Sequence, residues 1–147
     1  MSNLPGVQPA SAPGLVWQEL ASARALNEHE ARLLSELAAF VDEPRLREQI
    51  NTARVGATCT CGCSSVRLQT DAPMVPAERV AQLSSSGRDD YFAIHSTGRP
   101  RTLRHVDVVL HVGLGLIMEL EVFHSRRGHG VQIPLERITG LQALWLV

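Results

Sequence analysis

The spacing of apolar positions changes along the chain, separating a helical first third from a strand-rich remainder. From Gly14 to Leu26, the residues Leu15, Val16, Leu20, Ala23 and Leu26 fall roughly at helical intervals, with Trp17 as a large anchor, which predicts a short helix. Asn27 followed by Glu30 makes a capping-box start, and Ala31, Leu34, Leu37, Ala38 and Val41 then recur on one face, predicting a second helix that lies on a sheet. Asp42 is placed to cap a third, with Pro44 in its first turn and Leu46 and Ile50 as its apolar stripe. These helices are expected before the first strand.

From Ala53 the period becomes two. Val55, Ala57 and Cys59 alternate with Arg54 and Thr58, and Val66 and Leu68 with Arg67 and Gln69 beyond a turn at Gly62, which predicts a hairpin with cysteines at its tip. Asp71 to Asp90, with two prolines and Ser84-Ser85-Ser86-Gly87, reads as a loop excursion holding one helical turn at Pro76 to Leu83. Tyr91 to His95 reads as a strand and Thr97 to Arg101 as a turn. The strongest strand signal is His105 to Val112, whose Val106, Val108, Leu110 and Val112 share a face, followed by Met118, Leu120 and Val122 sharing another. If both sets face one core, Leu110 must oppose Met118 or Leu120 across a three-residue connection, because a two-residue loop would bring Glu119 opposite Leu110. Val131 to Ile133 reads as a short strand, Pro134 to Ile138 as a helical turn, and Leu141 to Val147 as an apolar end packed back on the core. The fold class that follows is α+β, with N-terminal helices packed on an antiparallel β-sheet of four to five strands.

Composition narrows the function classes. At 147 residues the chain is long enough for one domain with its own core, expected over residues 14 to 147 behind a flexible Pro/Ser-rich tail at residues 1 to 13. The net charge of −1 creates no field that would gather nucleic acid or anionic lipid. The 14 basic residues are all arginine, which points to a GC-rich genome and is read as a mark of source, not function. The opening residues lack a basic and apolar leader, Asp107, His111 and Glu119 interrupt the longest apolar run, and three cysteines within five residues do not form a secreted disulfide framework. A cytoplasmic protein without nucleic-acid or membrane partners is expected.

Cys59-Thr60-Cys61-Gly62-Cys63 is the one unusual constellation. Three thiols can converge where the chain turns at glycine, and thiolates suit Zn²⁺ or Cu(I), with a fourth ligand to come from His95, His105, His111, His124 or His129. The spacing differs from the paired C-x₂₋₄-C of structural zinc sites. Thiol sensing is a second reading. The packing alternative treats the cysteines as small hydrophobes, with Cys59 and Cys61 filling the inner face of the sheet. Zn²⁺ is the one candidate cofactor, and otherwise none is expected. His111 and Glu119 are candidate neighbours across the last hairpin, but alternation assigns Asp107, His111, Glu119 and Glu121 to a face turned to solvent or to a covering element, with a solvated polar face the favoured reading, so no catalytic residue is assigned. Arg99, Arg101 and Arg104 form a basic run that, with Arg126 and Arg127, is a candidate surface for an acidic partner.

The segments EHEARLLSEL (28–37), LREQINTARV (46–55), CTCGCSSV (59–66) and VVLHVGLGLIMELEVF (108–123) resemble an uncharacterised family of small, mostly actinobacterial proteins with a C-x-C-G-C-[PS]-[ST]-[VI] hairpin and a C-terminal L-E-V strand. The resemblance spans about residues 27 to 124. It departs from the family at Ser64, where proline is common, and at Gly113-Leu114, where an acidic residue usually precedes the glycine. It implies an α+β domain akin to small immunity-type or partner-binding proteins and supplies no catalytic residue. The expected function is therefore a non-enzymatic protein-binding module, its partner another protein or a second copy paired along the 117–124 strand as a homodimer. The alternative is a small zinc-binding or thiol-sensing protein centred on Cys59, Cys61 and Cys63.

Overall fold

The computed structural model describes residues 16–100, 102 and 105–147. The expected tail at residues 1 to 13 lies outside them, as do Arg101 and Arg104. Among the described residues the chain is α+β, with strands β1 (Trp17–Ala25), β2 (Arg54–Cys59), β3 (Val66–Gln69), β4 (Tyr91–Arg99), β5 (Val106–Gly113), β6 (Leu116–His124) and β7 (Gly140–Leu146). They form one seven-stranded sheet in the order β1-β2-β3-β6-β5-β4-β7, with every pair antiparallel. Helices α1 (Glu28–Ala39), α2 (Pro44–Asn51) and α3 (Ala77–Leu83) share one core cluster with the inward residues of the sheet. None of these helices is long and apolar enough to cross a membrane.

The sheet has more strands than the four to five expected because both ends of the described chain supply an edge. The segment expected to be the first helix is β1. Between the pairs Glu19↔Ala57 and Arg24↔Val55, β1 advances five residues while β2 advances two. That bulge breaks the two-residue alternation and leaves Leu20 and Ala23 at a helix-like interval, so tertiary pairing overrides a locally helix-favouring composition. At the other edge, β4 runs on to Arg99 where a turn was expected, because Thr97, Gly98 and Arg99 pair with β7. Residues 131–133 form no strand, and a 3-10 turn follows at Leu135–Arg137.

The capping box of α1 is present. Asn27 Oδ1 accepts from Glu30 N at 2.8 Å, and Glu30 Oε1 accepts from Asn27 N at 2.9 Å. Arg24 on β1 grips both oxygens of buried Glu30 at 2.9 Å, tying the edge strand to the helix. Leu33, Leu34 and Leu37 on α1 are fully buried, each stabilising the fold by roughly 1.5–3 kcal/mol.

The cap of α2 is Glu43, one residue later than expected, since proline at the first helical position fixes the preceding residue as the cap. Glu43 Oε2 accepts from Arg45 N at 3.1 Å and from Arg45 Nε at 2.7 Å, and Arg79 of α3 reaches Oε1 at 3.2 Å. The Arg45 hydrogen bond holds the Glu43 carboxyl below its ordinary value. A depressed folded-state value gives stability that is present above the unfolded value and lost as pH falls. Glu43→Gln should therefore cost about 1 kcal/mol near neutral pH, the size of a cap whose cations stay partly in water. Its deficit should shrink as pH drops through the carboxylate range. Urea denaturation of both proteins at about pH 7 and about pH 3 checks this; a deficit unchanged by pH would mean the charge contributes nothing.

The β5–β6 hairpin combines an expected register with an unexpected turn. Leu110 opposes Leu120 as the parity of the apolar faces requires, yet the connection is the two residues Leu114 and Gly115, with φ of 53° and 78°. A bulge reconciles the two, because the register shifts between His111↔Glu119 and Val112↔Ile117 and leaves Met118 as the extra residue. Ile117, and not Met118, is consequently the buried one. Strand β6 lies between β3 and β5, so the dimer edge proposed at residues 117–124 is closed.

Candidate functional site

The cysteines lie where β2 turns back toward β3. Cys59 N donates to Ser65 O at 3.2 Å, and Gly62 and Ser64 take positive φ values of 91° and 70° within the reversal. A proline at position 64, common in the resembling family, cannot adopt that φ, so this turn requires a residue other than proline there. Cys63 Sγ donates to Ser65 Oγ at 3.3 Å, and Ser65 exchanges hydrogen bonds with the Val122 backbone at 2.9 and 3.2 Å, pinning the loop to β6. Ser64 Oγ donates to Ile133 O at 2.7 Å.

These constraints bring the three sulfurs within 4.8 Å of one another. The packing alternative holds for Cys63, which is buried, and not for Cys59 and Cys61, which are half-buried. Cys59 Sγ and Cys61 Sγ share a hydrogen bond at 2.9 Å, and the N–H groups of Val16 and Cys61 reach Cys59 Sγ at 3.4 and 3.5 Å. Burial pushes the Cys59 thiol up, but these hydrogen bonds outweigh it and leave Cys59 below its ordinary value. Burial, followed by the hydrogen bond with Cys59, pushes Cys61 up to about 12. The cluster thus has one sulfur suited to be a thiolate and a second that holds its proton. Cys59 also lines a shallow cleft of about 270 Å³ with Arg24, His29, Ser64 and Glu136.

None of the five candidate histidines joins the sulfurs. The rings of His105 and His124 stand 5.6 Å apart, and His95 lies 5.2 Å from Trp145. His111 and His129 belong to a second cluster on the sheet face turned away from the helices. There His111 opposes Glu119 as expected, but the face is not solvated, since Glu119 and Glu121 are 8% and 6% exposed. His111 Nε2 lies 2.7 Å from Glu121 Oε1, and its Nδ1 is 2.5 Å from the Tyr91 hydroxyl. Burial is the largest influence on both acids. It carries Glu119 up to about 7, whereas for Glu121 the hydrogen bond and charge of His111 outweigh it and hold the carboxyl low. Tyr91 was missed by sequence reasoning, and His129 was named only as a candidate fourth ligand for the cysteines. Strand alternation was the available signal for Tyr91, which shares the His111 face two residues from Ala93.

Of the basic patch, Arg99, Arg126 and Arg127 are exposed. Because β4 and β6 both run antiparallel to β5, they lie at the same end of the sheet. Arg101 and Arg104 are outside the described residues.

Fold and clusters together define an α+β sheet protein with a three-thiol hairpin and a buried histidine–carboxylate group. No known family model, curated protein or solved structure matches the chain.

Proposed function

We propose that this chain is a small thiolate metal-binding protein, its Cys59, Cys61 and Cys63 hairpin holding a soft or borderline ion, with Zn²⁺ the first candidate. The convergence of three sulfurs within 4.8 Å carries the reading. Sulfurs sharing a tetrahedral zinc at bonds of about 2.3 Å stand roughly 3.8 Å apart, so the Cys59–Cys61 edge, at 2.9 Å, opens modestly to admit the ion. Hydrogen bonds hold the Cys59 thiol below its ordinary value, and the ion would displace the thiol protons on binding. The fourth position is left to water or an external ligand arriving through the adjoining cleft.

Elemental analysis with thiol counting, on protein purified reduced and without chelator, tests this. About one Zn per chain, with thiols shielded until a chelator is added, is expected, and Cys61→Ser should weaken binding by roughly 100-fold or more. Metal-free protein whose half-buried thiols oxidise readily would overturn the metal reading in favour of a thiol sensor.

A second reading, a binding module for an acidic protein, is favoured by the exposed arginines at one end of the sheet. Charge reversal at Arg126 and Arg127 in a partner pull-down tests it; capture unchanged by the reversal would remove the patch from consideration. Membership of the resembling actinobacterial family and a cytoplasmic setting belong to the same proposal.

A further inference from the structure

We propose that His111, Glu119 and Glu121 form a second, sulfur-free site for a divalent transition-metal ion on the outer face of the sheet, with His129 as a positioning residue. One imidazole nitrogen and one oxygen from each carboxylate lie within 4.8 Å of one another. Ligands on one ion with bonds of 2.0–2.1 Å stand roughly 3 Å apart, and His111 Nε2 and Glu121 Oε1 are already separated by 2.7 Å. The His111–Glu121 pair already stands at a ligand-to-ligand separation, and Glu119 would close the set from within 4.8 Å.

The independent observation is His129. Its side chain is 3% exposed, its Nε2 pairs with Glu121 Oε2 at 2.8 Å, and its buried Nδ1 has no hydrogen-bond partner. The short-range partners of Glu121 are the His111 and His129 imidazoles, while Arg67, opposite Glu119 in register, has its guanidinium 4.8 Å over the Trp17 ring. A cation between the two carboxylates would offset the cost of burying both. The outer shell is in place as well. The Tyr91 hydroxyl engages His111 Nδ1, which fixes the ring and leaves Nε2 to ligate. A donor set of nitrogen and oxygen favours Zn²⁺, Fe²⁺ or Mn²⁺ over Cu(I). His111 is 20% exposed on its side chain, so water can reach an ion there.

The test uses the full chain and Zn²⁺. Equilibrium dialysis should find two ions in the unmutated protein, one each in Cys61→Ser and Glu121→Gln, and none in the double variant. Without any mutation, adding Zn²⁺ to ¹⁵N-labelled protein should shift the His111 ring nitrogen. Glu119→Gln gives a second variant should Glu121→Gln fold poorly. A His111 ring unmoved at saturating Zn²⁺, with Glu121→Gln holding as much ion as the parent, overturns the proposal. If Cys61→Ser alone keeps every ion, the cysteine reading fails and this one stands.

Discussion

Replacing Gln49 with leucine should destabilise the protein by about 3 kcal/mol and lower its thermal midpoint by roughly 10 °C. Gln49 lies on α2, is fully buried, and spends its amide on three backbone groups. Its Nε2 donates to Pro73 O at 2.9 Å and to Gly115 O at 2.8 Å, while its Oε1 accepts from Ile117 N at 2.9 Å. Leucine has similar bulk, so the change leaves little cavity and isolates the polar term. Gly115 O keeps a second donor in Val75 N at 2.9 Å, but Ile117 N becomes buried and unsatisfied, at about 1–3 kcal/mol, and Pro73 O, on an exposed residue, loses its protein donor as well. Calorimetry gives the midpoint, and amide exchange at Ile117 should accelerate in the variant. A midpoint within about 1 °C of the parent would mean that both groups find other partners.

That glutamine shows where legibility ended. The capping box at Asn27 and Glu30, the cysteine hairpin and the Leu110–Leu120 register were readable because each depends on residues near in sequence or on a strict two-residue period. Gln49 was not, since a polar residue on an amphipathic helix announces its role only when the backbone it meets, 66 and 68 residues away, is in place. Strand β1 was unreadable for another reason. Its bulge imitates helical spacing, and only pairing with β2 distinguishes the two. The outer face was misjudged because alternation places Glu119 and Glu121 on that face without revealing that neighbouring side chains close over them. The thiol cluster was visible as a motif, but its convergence needed the positive φ at Gly62 and Ser64, which sequence alone does not supply.

The two clusters have a structural dependence in common. Strand β6 carries Glu119 and Glu121 and, at Val122, receives the Ser65 hydrogen bonds that pin the cysteine loop. The Met118 bulge sets which β6 residues face outward: without it, continuous pairing from the Leu114–Gly115 turn would send Glu119 and Glu121 toward the core. Whatever fixes this turn therefore also fixes the donors of the outer cluster.

Gly115→Ala should accordingly cost about 4 kcal/mol or abolish folding, the largest effect expected of a methyl addition at any of the described glycines. Gly115 has φ of 78°, a region in which an L side chain is strained by roughly 1–2 kcal/mol. Its added Cβ would also lie 2.2 Å from Val75 O and 3.1 Å from Val75 N, contacts with backbone that no rotamer change relieves. Relief requires the segment at Val75 to withdraw, breaking its hydrogen bond to Gly115 O and loosening the carbonyl that Gln49 holds. Gly87 is the natural control, because it has φ of 73° but nothing within 4 Å of an added Cβ. Gly87→Ala should show the conformational cost alone, about 1 kcal/mol. Denaturant titration of both variants separates strain from clash. Equal losses would show that the Val75 segment yields freely, and the turn would then not be what holds the β6 register.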